Sequence, residues 1–261
     1  MALFYGKPEA YTFADIVQQV PDSEFNNLTR STIPLLSYWN NPEEVIQHIL
    51  EEIAPYTPMS KLCVEYPVSS GGGIGKASMT DIMFISDPIS IAIEGKWNEP
   101  RYKTVGSWLD KGNRQNREMV LQGWINHIQP NSNNPLENDT FANAVYQMVH
   151  RTASVCSLGK HSKQVAVIYQ IFGLADEHVV DYKQDLIDFV KMISPQPQLR
   201  FWLHTVKMDL LPRYNQLQDE FEASNNVDEE DLEERASLIR EAIMEGVLFD
   251  FIDEELKEIH N

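Results

Sequence analysis

Residues 78–97 read SMTDIMFISDPISIAIEGKW, and the fold turns on this stretch. Two apolar runs, Ile82-Met83-Phe84-Ile85 and Ile89-Ser90-Ile91-Ala92-Ile93, flank Asp87-Pro88, a dipeptide that favours a tight turn. Ile- and Phe-rich runs bounded by turn residues predict strands, here the two arms of an antiparallel hairpin. Folding about Asp87-Pro88 sets Asp81 directly opposite Glu94, and opposite residues project from one face. Lys96, two residues past Glu94, shares that face. Both arms are apolar on both faces, as in strands buried at the centre of a sheet. A carboxylate at the end of such a strand needs a metal ion or an ionic partner. Two carboxylates and a lysine converging there point to a divalent-cation site with a water-activating base.

Glu-x-Lys alone carries little information. Glu255-Leu256-Lys257 repeats it and Asp181-Tyr182-Lys183 is its Asp version. Both lie in stretches with a helical pattern, where side chains at i and i+2 diverge. Strand context and register with Asp81 set the first copy apart. The competing reading is an ordinary hairpin with solvated charges, and the two-sided apolar pattern argues against it.

The chain has 261 residues, 43% hydrophobic, enough for one large domain with a core. No apolar run approaches the roughly 20 residues that span a bilayer. The N-terminal MALFYGKPEAYTF lacks the pattern of a secretory signal, and Cys63 and Cys156 form no Cys-x-x-Cys. Two reduced thiols in a cytoplasmic protein are expected, without structural zinc. The net charge of −18 argues at first against a nucleic-acid partner. Its distribution reverses that. Residues 219–261 hold 16 acids against 3 bases, leaving 23 against 18 in 1–218. Directly after the hairpin, Lys96, Arg101, Lys103, Lys111, Arg114 and Arg117 face only Glu94, Glu99 and Asp110. A locally basic segment beside the candidate site suits a phosphate backbone, although a solvated loop has the same composition.

Along the chain, 42–54 predicts a helix with Pro42 in its first turn, and 61–68 a strand. The Gly-rich 69–78, SSGGGIGKAS, is not a P-loop: that pattern needs Gly at 70 and Ser or Thr at 77, where Ser70 and Ala77 stand. It reads as a flexible strand connection, with a substrate-contacting loop as the alternative. Helices are expected over 117–128, 139–157 and 181–193, and strands over 164–173 and 199–208. An acidic helical tail over about 228–259 is capped weakly by Asp228. The chain thus divides into a mixed α/β domain over 1–218 and an acidic helical C-terminal extension over 219–261.

This order, with an Asp on the second strand and Glu-x-Lys on the third, resembles the PD-(D/E)XK nuclease superfamily of restriction endonuclease-like folds. Its core is α-β-β-β-α-β, and the likeness spans 42–173. The pattern Ala77-Ser78-x-x-Asp81, Ile93-Glu94-Gly95-Lys96-x-x-Glu99-Pro100 and Tyr146-Gln147-x-x-His150-Arg151-Thr152-Ala153-Ser154 is similar to that of an uncharacterised bacterial group within it. Thr80 replaces the usual Pro before Asp81.

The resemblance implies a mixed central sheet flanked by helices, with extra C-terminal helices. It also implies a metal-dependent phosphodiester hydrolase, with a DNA endonuclease of restriction or phage defence first. Asp81, Glu94 and the Gly95 carbonyl would hold Mg²⁺ or Mn²⁺, since hard cations prefer oxygen donors. Lys96 would orient or deprotonate the attacking water, and Gln147 would help hold it. Arg101, His150 and Arg151 would bind substrate, Glu65 would adjoin the metal shell or form a salt bridge, and Trp97 and Tyr102 would stack on bases or pack in the core. DNA is expected ahead of RNA, with no membrane partner. A homodimer and a basic partner for the acidic extension are both compatible. The alternative is an inactive module on the same fold that binds nucleic acid or protein.

Overall fold

The structure is a computed structural model that describes residues 1–57, 59–98, 100, 102–159, 161–173, 176–223 and 229–260. Its elements run β1 (Ala2–Tyr5), β2 (Glu9–Ala10), α1 (Phe13–Gln19), α2 (Thr32–Tyr38), α3 (Pro42–Ile53), β3 (Ser60–Val68), β4 (Ser78–Ser86), β5 (Ile89–Lys96), α4 (Val105–Leu109), α5 (Arg114–Ile128), α6 (Tyr146–Cys156), β6 (Gln164–Phe172), α7 (Asp176–Ile193), β7 (Leu199–Leu210), α8 (Pro212–Ala223), α9 (Glu229–Glu245) and β8 (Phe249–Ile259). Among the described residues the strands form one eight-stranded sheet in the order β2-β1-β3-β4-β5-β6-β7-β8. β3, β4 and β5 are antiparallel, while β5, β6 and β7 are parallel, so the sheet is mixed.

The β4–β5 hairpin has the expected register: Ile82 pairs with Ile93, Met83 with Ala92 and Phe84 with Ile91. Every residue of β5 is buried, which is why its sequence is apolar on both faces. Ile89, Ile91 and Ile93 enter one core layer, with Ile46 of α3, Leu36 of α2 and Ile239 of α9. Ala92 enters the other, with Trp124 of α5, Val149 of α6 and Phe189 of α7. Glu94 and Lys96 alternate in step with Ala92 and so point toward α6. Each fully buried Ile or Phe side chain contributes roughly 1.5–3 kcal/mol. Cys63 and Cys156 are buried free thiols. No helix among the described residues is long and apolar enough to cross a membrane.

Two expected helices are corrected. The stretch expected as one helix over 139–157 is a 3-10 turn at Asn138–Phe141, a break, and then α6. The break is held by outside partners: Val105 N–H donates to Ala144 O (2.9 Å), Gly106 N–H to Ala142 O (2.9 Å) and Tyr146 N–H to Lys103 O (2.9 Å). α6 is also buried on nearly every side, His150, Arg151 and Ser154 included. The acidic tail is helical only to Glu245. Gly246, at φ +67°, ends α9 in the left-handed conformation that glycine tolerates, and residues 249–259 form the edge strand β8. Asp228, the expected cap, lies outside the described residues. Nor does the tail hang free: the Arg240 guanidinium donates to Val17 O, Val20 O (2.6 Å) and Asp22 (2.6 Å), fixing α9 on the N-terminal elements.

β8 is tied to β7 by charge as well as backbone. Arg200 makes a two-point pair with Glu258 (2.7 Å each), and the Glu254 carboxylate accepts from His204 (2.9 Å), Tyr38 and His48 (2.8 Å). The hydrogen bond from His204 outweighs burial and, with Tyr38, holds the Glu254 carboxyl down at about 2. A depressed folded pKa adds stability that is present above the unfolded value near 4.3 and fades as pH falls toward 2. Glu254→Gln is expected to lower the melting temperature at neutral pH and to flatten its fall between these values, read from melting curves against pH. An unchanged acid slope would contradict this.

The Gly-rich loop is docked on α5. The side-chain amide of Asn116 pairs with both backbone groups of Ile74 (2.7 and 2.8 Å). A Cβ on Gly123 would lie 2.4 Å from Ser70 O, and one on Gly72 2.2 Å from Met119 O. The loop connects β3 to β4 as expected, and Gly72 and Gly123 allow its close backbone approach to α5. Gly123→Ala is expected to cost roughly 2–4 kcal/mol in urea unfolding. Gly75→Ala, with nothing within 4 Å of its Cβ, is expected to be nearly neutral.

Candidate active site

The expected residues meet where β4 begins and β5 ends. Lys96 Nζ donates to Glu94 Oε1 at 2.7 Å, and Gln147 Nε2 donates to the same oxygen. Arg151 Nε donates to Glu94 Oε2, and Arg151 Nη2 reaches Asp81 Oδ1 at 3.3 Å. Asp81 Oδ2 accepts the Gly95 N–H at 2.9 Å. The N–H and C=O of a strand residue point to the same side, so the Gly95 carbonyl also faces the Asp81 side. Asp81, Glu94, Lys96, Gln147 and Arg151 line one cavity of about 510 Å³. Its far wall is Val20, Glu24, Arg30, Leu35 and Leu36, from the N-terminal part.

Three neighbours were not assigned from sequence, or only loosely. Ser78 accepts from Arg151 Nη1 (3.0 Å) and bonds His150 Nδ1 (2.9 Å). Glu65 lies in β3 between the Val64–Ile82 and Tyr66–Thr80 pairs, at a position the ladder skips, and it lines the cavity with Asp81. Its φ of +55° is costly for a residue with a Cβ, and such strain concentrates at functional sites. Tyr169 pairs with Glu94 across β5 and β6, and its buried hydroxyl has no hydrogen-bond partner among the described residues. No local sequence pattern distinguishes these three.

Other expected roles move. His150 lies behind the cavity wall, packed on Tyr146 (5.1 Å between ring centroids) and Trp124 (6.2 Å). Burial, then the Arg151 charge, pushes its pKa well below the ordinary histidine value. As a neutral ring it bonds Ser78, and it is not among the residues lining the cavity. Trp97 is core, edge-on to Tyr214 (5.9 Å) and Phe249 (5.7 Å), whereas Tyr102 is exposed at the cavity. Arg101 and Glu99 lie outside the described residues. Arg114 is spent on Asp110 (3.2 Å) and Glu118 (2.9 Å). Lys111 crowds Lys103 and holds its ammonium below the ordinary lysine value, with Arg117 adding to the effect. These three cations gather at the α4–α5 turn, where Arg117 packs over Trp108.

The two acids are electrostatically unequal. Burial raises the pKa of Glu94, but Arg151 and Lys96 together outweigh it and hold the carboxyl at about 2. Asp81 is pushed up to about 8 by burial and by Glu94, against a weaker pull from Arg151 and Lys96. The cluster is thus short of positive charge at Asp81. Among the described residues, no set of three His, Cys, Asp or Glu side chains is arranged to hold a metal ion. Mg²⁺ needs only one or two carboxylates, its remaining positions being water. Oxygen donors on Asp81 and Glu94 and the under-compensated Asp81 fit such an ion, provided that Arg151 yields its place.

The sequence profile of a family described as "Domain of unknown function (DUF6946)" matches residues 9–210. The chain belongs to the DUF6946 family. The matched span runs from β2 to the end of β7 and contains every cavity residue named above; α8, α9 and β8 lie beyond it. No curated protein and no solved structure matches the chain.

Proposed function

We propose that this DUF6946 protein is a metal-dependent phosphodiester hydrolase with a restriction endonuclease-like core, acting on DNA. The observation that carries the reading is the triad at the hairpin's end: Asp81 and Glu94, each one residue beyond the Ile82–Ile93 pair, with Lys96 2.7 Å from Glu94, all lining one cavity. The helix α3, the meander β3-β4-β5, the helices α5 and α6, and β6 follow the α-β-β-β-α-β order of the PD-(D/E)XK superfamily.

A Mg²⁺ or Mn²⁺ ion at Asp81, Glu94 and the Gly95 carbonyl would supply Lewis acidity toward the scissile phosphate and lower the pKa of water. The protein's own groups do the rest. Lys96 presents an ammonium beside Glu94 that can hold the attacking water or neutralise charge building on the phosphate. Gln147 fixes the Glu94 carboxylate from α6. Lys103, Lys111 and Arg117 offer a cationic seat for the nucleic-acid backbone, which contacts proteins largely through phosphate.

The test is cleavage of DNA with Mg²⁺ or Mn²⁺ by wild type and Lys96→Met, each with a chelator control. Chelator-sensitive cleavage that drops by about 100-fold or more in the variant supports the reading. Equal cleavage by both sinks it. A second reading, a nuclease-fold binding module without catalysis, is favoured by one observation. Both Glu94 oxygens are already engaged by Lys96, Gln147 and Arg151.

A further inference from the structure

We propose that Arg151 and a divalent cation compete for the same two carboxylates, so that the site is closed by its own arginine until an ion displaces it. The inference rests on the cation-site reading above. The guanidinium spans both acids: Nε on Glu94 Oε2 and Nη2 3.3 Å from Asp81 Oδ1, while Nη1 lies 3.0 Å from Ser78 Oγ. It therefore occupies the space that an ion bridging Asp81 and Glu94 needs. The ion would sit against the two oxygens that the guanidinium now joins, Glu94 Oε2 and Asp81 Oδ1, and two cations held that close repel each other.

The arrangement leaves Arg151 a way out. The side chain is rooted on α6, a rigid helix buried on both flanks, but its head lines the open cavity. The Ser78 hydroxyl, itself held by His150 at 2.9 Å, is a second resting point for Nη1 that does not involve either acid. Lys96 and Gln147 both bind Glu94 Oε1, so Glu94 stays anchored when Oε2 is released. Once displaced, the guanidinium presents a planar fork of donors to the space a substrate phosphate enters, the geometry suited to bidentate phosphate binding. Loading the ion and presenting the phosphate clamp are then one event. This also accounts for the full engagement of Glu94 without making the site inert.

Mn²⁺ binding measured calorimetrically on the full chain tests this, in wild type, Arg151→Gln and Arg151→Lys, with the Mn²⁺-induced rise in melting temperature as a second readout. Competition predicts about tenfold or tighter binding and a larger thermal rise in Arg151→Gln, because two adjacent acids lose their internal counter-ion. Arg151→Lys, which keeps the charge but cannot span both acids, is expected to bind several-fold tighter than wild type and decides the matter if the Gln variant does not fold. Equal or weaker binding in the folded variants overturns the competition while leaving the cation site standing. No binding in any of the three removes the cation site and the competition with it.

Discussion

Glu94→Ala is expected to lower stability by about 3–5 kcal/mol, a large part of a typical domain's total. The reason is what it leaves behind. Lys96 and Arg151 are buried, at 8% and 5% exposure, and Glu94 is the shared anion that both donate to. Removing Glu94 takes the nearest counter-charge from both buried cations and leaves Arg151 the longer contact to Asp81, a loss that costs far more than the pairs contribute net. Gln147 loses its acceptor in the same step. Urea unfolding measures the effect, and a loss under about 1 kcal/mol would contradict the network as described.

Asp81→Asn is expected to act with the opposite sign on stability. Asp81 is raised to about 8 in the fold, from an unfolded value near 3.9. A raised folded pKa means that the stability it contributes is complete below the unfolded value and is lost as pH rises through the folded one. Without a divalent cation, wild type should therefore lose stability between about pH 4 and 8. Asp81→Asn removes the titration, keeps an oxygen able to accept the Gly95 N–H, and should match or exceed wild type at pH 8. On the proposed hydrolase reading, divalent-dependent cleavage should fall by about 1000-fold or more, since an amide is a far poorer ligand for a hard cation than a carboxylate. Melting curves at pH 5 and pH 8 under chelation check the first part. A variant less stable than wild type at both would show Asp81 to be a plain structural ion-pair partner.

The centre of the fold was legible because the relevant physics is local. A two-residue turn fixes a register, and a register fixes faces, so Asp81, Glu94 and Lys96 could be placed from spacing alone. The surroundings were not, because they depend on distant partners. The break before α6 is held by backbone hydrogen bonds to residues 103–106, and α6, starting after it, carries the Gln147 and Arg151 that reach Glu94. The N-terminal cavity wall shows little periodicity, and its burial comes from α9, some 200 residues away in sequence.

β8 is the instructive miss. Its acidic pattern suits a helix, yet Gly246 stops α9 and the Arg200–Glu258 and Lys207–Asp253 pairs hold 249–259 on β7. Glu255-Leu256-Lys257 is therefore on a strand too, and its failure to form a site does not come from helical divergence. It lies on an exposed edge strand, with Thr205 and not an acid registered opposite Glu255. Strand context was a weaker discriminator than burial and the cross-strand partner. The Gly-rich loop joins β3 to β4 as its composition suggests, but the close packing of Gly72 on Gly123 is revealed only by the tertiary contact.

Anomalous-scattering crystallography of Mn²⁺-soaked protein tests the cation site most directly. The account predicts a manganese peak in contact with both Asp81 and Glu94, with the Arg151 guanidinium withdrawn from between them. Crystals saturated with Mn²⁺ that show no peak there, and Arg151 still bridging the two acids, would contradict it.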